Sequence, residues 1–108
     1  MISVSLRWQA ARVPTADYKV FIHLAISPDV PPVAQHDSTP ANGFAPTSGW
    51  AANITVDDHH GLQLPADLAP GTYQLLVGLT DPQGTRLMVD GANAVGQDRV
   101  SIGTITVP

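Results

Sequence analysis

The chain has 108 residues, enough for one domain, with 44% hydrophobic and only 13% charged side chains, against about 25% charged in a typical soluble domain. That composition, with mean hydropathy near zero, excludes a disordered tail and hints that part of the surface is covered by a partner or neighbouring domain. The net charge is −4 and the five basic residues Arg7, Arg12, Lys19, Arg86 and Arg99 are scattered, which excludes nucleic acid and anionic membrane surfaces as partners; the absence of cysteine excludes disulfides and thiol chemistry.

The first predicted strand runs from Ile2 to Gln9. Val4, Leu6 and Trp8 share one face and Ser3, Ser5, Arg7 and Gln9 the other, the period-two pattern of a half-buried strand. The chain thus opens inside a strand pattern with no apolar leader, which suggests a piece of a longer protein. The second strand spans Tyr18–Ile26, with Tyr18, Val20, Ile22, Leu24 and Ile26 inward. Its opposite face (Lys19, Phe21, His23, Ala25) is semi-polar, as expected of a central strand partly covered on both sides. After a turn at Ser27-Pro28-Asp29, Pro31-Pro32 restricts the short strand Val33–Asp37 to an edge. Residues 38–53 form a long loop rich in Pro, Gly, Asn and Ser, in which Phe44 and Trp50 are the large anchors.

Ile54–Leu64 alternates again, but Asp58 and His60 fall in the same row as Ile54, Val56, Leu62 and Leu64. Two polar residues in that row predict a bulge or a strand that leaves the sheet midway. Thr72–Thr80 is the strongest strand, with Tyr73, Leu75, Val77 and Leu79 inward. The Asp81-Pro82-Gln83-Gly84 turn predicts a hairpin returning through Thr85–Asp90, and Arg99–Val107 closes the chain. Seven short strands with frequent turns predict an all-β, immunoglobulin-like antiparallel β-sandwich; a jelly roll is the alternative. Tyr73, just after Leu68-Ala69-Pro70-Gly71-Thr72, fits a tyrosine corner, whose hydroxyl bonds back to the upstream backbone.

Three groups of segments carry a resemblance. They are Leu6-Arg7-Trp8-Gln9 with Val20–Leu24 and Val33–Asp37; Leu62–Pro65 with Pro70–Leu79; and Gly84–Leu87 with Ile102–Ile105. Together the pattern resembles a β-sandwich found at the C-terminal end of some bacterial multi-pass membrane proteins similar to lipid-linked-sugar glycosyltransferases of the protein mannosyltransferase type. The resemblance implies a non-catalytic accessory domain on the extracytoplasmic face of the bacterial membrane, partnered by its parent membrane domain or another envelope protein. It also implies one further strand before the Leu-x-Trp-Gln segment. Without that strand an edge is left open, through which a homodimer could form. It supplies no catalytic residues.

The residues themselves offer few chemical sites. Asp57-Asp58-His59-His60 invites a metal reading, with His36 and Asp37 to complete the ligand set, yet neighbours on a strand point to opposite faces. Asp29, Asp37, Asp57, Asp58, Asp90 and Asp98 lack the spacing of a calcium loop. Neither metal nor cofactor is therefore expected. Ser48-Gly49 lacks the flanks of an activated serine, and no glycine loop cradles phosphate, so no enzyme activity is expected. Trp8 falls in the core row. Trp50 and Phe44, with polar neighbours Asn42, His36 and Asp37, are the candidates for stacking on and bonding a glycan; the competing role for Trp50 is a plug closing the end of the sandwich.

Overall fold

A computed structural model describes every residue of the chain apart from the side chain of Asn42. Seven strands follow in order: β1 (Ile2–Gln9), β2 (Lys19–Ala25), β3 (Ala34–Ser38), β4 (Thr55–Leu62), β5 (Gly71–Thr80), β6 (Ala94–Val95) and β7 (Arg99–Val107). They form two antiparallel sheets, β1-β4 and β3-β2-β5-β7-β6, packed as a β-sandwich. Two single-turn 3-10 helices, Pro40–Gly43 and Thr47–Gly49, sit in the loop between β3 and β4.

The core is built from the alternating rows. Val4 on the small sheet and Val20, Ile22, Leu24, Tyr73, Leu75 and Val77 on the large one are buried against each other, with Leu62. Each strand lends only one side-chain row to this layer, because successive side chains point to opposite faces. The outer face of the small sheet is polar and cross-paired: Ser5 bonds His59 at 2.9 Å and Arg7 bonds Asp57 at 3.0 Å. The outer face of β2 is covered as well. Phe21 lies flat over Gly78, where a Cβ would run into its ring, and Arg86 stacks on Phe21 with its guanidinium carbon 4.6 Å from the ring centre. Arg99 clamps this cover to the β2–β3 loop through the Pro28 carbonyl, 2.9 Å away.

The tyrosine corner is present: the Tyr73 hydroxyl donates to the Ala69 carbonyl at 2.6 Å. Three expectations are corrected. The row containing Asp58 and His60 has no bulge; β4 pairs with β1 without a break from Ile2↔Leu62 to Gln9↔Thr55, and both polar residues point into the sandwich. The interruption lies in β7 instead, where Ile102 is extruded opposite the Leu75/Leu76 step. Thr85–Asp90 makes no return strand. After the hairpin turn a single Thr80↔Arg86 bridge forms and the chain peels away, because β7 occupies that edge of β5 from Val77 onward; Arg86 itself stacks on Phe21 and bonds Asp98. β7 pairs with β5 on one side, and on the other with the short β6, unforeseen in the sequence. Ile26, assigned inward, is exposed beyond the end of β2.

Candidate functional site

Two features stand out: an apolar groove and a buried polar cluster. The groove follows from the unequal sheets. β1 is hydrogen-bonded only to β4, and among the described residues no backbone bond joins its other edge to the rest of the chain. Along that edge lies an opening of about 280 Å³ between Leu6 and Trp8 of β1, the Leu87–Val89 segment, and Val77, Val100 and Ile102 of the large sheet. The bulge that extrudes Ile102 helps form its wall, and Met88, on the rim, is 80% exposed.

The polar cluster bridges the two sheets. Leu6 faces Asp58 across the small sheet and Val4 faces His60. Opposite them, the inward row of β3 supplies His36 and Ser38, paired with Ile22 and Val20. Asp58 is fully buried and accepts from three N–H groups: Trp8 Nε1 at 3.0 Å, His60 Nε2 at 2.6 Å and the Ala41 backbone at 2.7 Å. An N–H at His60 Nε2 leaves His60 Nδ1 as an acceptor in the neutral ring. That nitrogen lies 3.1 Å from His36 Nδ1 and 3.3 Å from Ser38 Oγ, so one of these groups donates to it. The two imidazoles meet at 75° with centroids 5.2 Å apart. Among the described residues no buried side-chain nitrogen or oxygen lacks a partner. The Ser38–His60–Asp58 succession has the composition of a hydrolytic triad, but Ser38 lines neither the apolar groove nor the polar depression described below.

The glycan candidates are not gathered in one place. Trp50 is 9% exposed: it packs on Trp8 with ring centres 6.4 Å apart, and its Nε1 donates to the Ala45 carbonyl at 2.9 Å. Its face is therefore turned to the protein. Phe44 is 92% exposed. His36 is turned inward to the cluster, whereas Asp37 faces outward on the other side of β3. The Asn42 side chain lies outside the described residues. Sequence reasoning overlooked Thr47, whose hydroxyl donates to the Ala16 carbonyl at 2.6 Å and accepts from the Tyr18 backbone N–H at 2.9 Å. It fixes the long loop to the entry of β2, and a threonine directly after Pro46 was the available signal.

Three further titratable groups are shifted by their surroundings. His23 is held below its ordinary value by burial and by the nearby Arg86 charge, with Asp37 pulling weakly the other way. Burial pushes Asp98 up, but the hydrogen bonds and charges of Arg86 and Arg99 outweigh it and leave the carboxyl below its usual range. Asp17 is lowered by hydrogen bonds from the side chain and backbone of Ser48. A second, polar depression is lined by Asp17, Lys19, Thr39, Thr80 and Asp81. Its carboxylates already serve turn amides: Asp17 accepts from Ser48 N at 3.0 Å, and Asp81 from Gln83 N and Thr85 N at 3.0 and 2.8 Å. Compared with known protein families, curated proteins and solved structures, the chain matches none.

Proposed function

We propose that this is a non-catalytic accessory domain that works by binding a protein segment along the open edge of β1. The observation that carries this reading is the coincidence of that edge with the apolar groove. An unpaired strand presents a row of backbone donors and acceptors, and pockets beside it receive alternate side chains of an added strand. The occupant is an extended segment with apolar residues at every second position, supplied by the protein to which the domain is attached. A half-buried Trp8 and an exposed Met88 suit such a partner better than a polar ligand. The resemblance to C-terminal domains of glycosyltransferase-like membrane proteins supports a parent membrane enzyme, at the extracytoplasmic face, as the place of work.

A photo-crosslinking residue at Met88 in the full-length protein, expressed in its native host, tests this. Crosslinks to an extended segment of the same or an associated polypeptide are expected from Met88 and not from Asp67, in the turn before β5. Equal yields at both positions, or none at Met88, overturn it. A second reading, glycan binding, retains one favourable observation, the exposed ring of Phe44. Saturable binding to a glycan array that is lost in Phe44→Ala would replace the first reading with the second.

A further inference from the structure

We infer that His36 and His60 form a two-imidazole chelate for a divalent transition metal, zinc foremost, which clips the two sheets together. The two Nδ1 atoms lie 3.1 Å apart on facing strands of different sheets. Nitrogens bound to one tetrahedral zinc at about 2.0–2.1 Å stand about 3.3 Å from each other, so a shift of a few tenths of an ångström admits the ion. The metal takes the place of the proton between these nitrogens; in a neutral His36 ring that proton shifts to Nε2, so both imidazoles bind as neutral ligands.

The surroundings match what a ligating histidine needs. Asp58 accepts the Nε2–H of His60 at 2.6 Å, which fixes the tautomer and aims the Nδ1 lone pair at His36. This carboxylate–histidine arrangement behind a metal orients the ring and raises its basicity. Trp8 and the Ala41 amide hold the carboxylate in turn, so the orienting group cannot swing away. Ser38 Oγ, 3.3 Å from His60 Nδ1, stands near a third position. Among the described residues no third His, Asp or Glu side chain joins the pair, so the protein supplies two nitrogens, and the remaining positions fall to water on the side of the half-buried His36 and Ser38, since His60 itself is closed off. Such a site binds more weakly than a four-ligand structural centre. Imidazole donors select zinc, copper or nickel over calcium and magnesium. The other two histidines point elsewhere: His59 bonds Ser5 on the outer face of the small sheet, and His23 stacks on Phe21 outside the large one.

Calorimetric titration of the purified chain with zinc chloride tests the inference, alongside His36→Asn and His59→Ala. His36 is half-buried on an edge strand, so its replacement leaves the core intact; circular dichroism verifies the fold of each variant. One zinc per chain is expected for the parent and for His59→Ala, with affinity at least about tenfold weaker in His36→Asn and zinc raising the melting temperature only where it binds. No saturable zinc binding by the parent chain, or binding that survives His36→Asn undiminished, overturns the inference. So does calcium binding as well as zinc.

Discussion

Replacing Asp58 and Asp57 in turn by alanine compares two carboxylates that are adjacent in sequence and opposite in environment. Asp58→Ala removes the acceptor for three N–H groups, those of Trp8, His60 and Ala41, in a site closed to water. An unsatisfied buried donor costs about 1–3 kcal/mol. The His60 ring also loses its orienting partner, and removing one member of a buried pair costs about 3–5 kcal/mol in total. Domains of this size are stable by roughly 5–15 kcal/mol, so the loss takes a large part of the margin. At about 4–8 °C per kcal/mol the melting temperature falls by about 12–40 °C. Asp57→Ala breaks only the Arg7–Asp57 pair at 3.0 Å, whose side chains are 75% and 60% exposed. Exposed pairs of this kind contribute about 0.2–1 kcal/mol. Urea unfolding followed by tryptophan fluorescence and circular dichroism measures both. Equal midpoint shifts for the two variants, or a loss below about 1 kcal/mol in Asp58→Ala, would refute the buried-acceptor argument.

Gly78→Ala should cost about 1–3 kcal/mol in the same urea assay, because the added methyl meets the Phe21 ring and stands 2.8 Å from the Asp98 carbonyl oxygen. Tyr73→Phe removes the corner bond to Ala69 and should cost about 0.5–1.5 kcal/mol, with no change in the denaturant slope. The His23 shift gives a pH dependence of definite sign. With a lowered folded value, the unfolded chain takes up this proton first, so stability present above pH 6.5 is lost as pH falls through the folded value. Unfolding midpoints measured across that range should fall less steeply in His23→Gln than in the parent, and an identical slope would count against the assigned burial. Phe44→Ala should leave stability within about 0.5 kcal/mol, since the ring is exposed.

What the sequence reveals follows from how local each interaction is. β1 and β7 are legible to the residue, and the Tyr73 corner is legible too. Alternation and a turn-flanked tyrosine are properties of a few consecutive residues. The polar cluster obeys the same alternation, yet its meaning depends on partners far along the chain. Asp58 and His60 read as a disruption because a carboxylate in a core row is costly unless donors surround it. Those donors come from Trp8, fifty positions earlier, and from the Ala41 amide in the long loop. Trp8 shows the same limit from the other side: its place in the row predicts packing, but not that its indole N–H is spent on Asp58. Trp50 carries no alternation at all, and only the position of Trp8 beneath it decides whether its face is open or covered. Thr85–Asp90 goes wrong for a different reason. A hairpin turn predicts a returning strand, but the edge of β5 it would follow is taken from Val77 onward by β7, so the pairing ends at Thr80↔Arg86 and the Leu87–Leu79 bond. The departure leaves the groove beside β1 uncovered except by Leu87, Met88 and Val89. The groove is thus a consequence of strand order: β7 holds the edge of β5 that a returning strand would have taken, and the displaced segment lies beside β1 without a backbone bond to it.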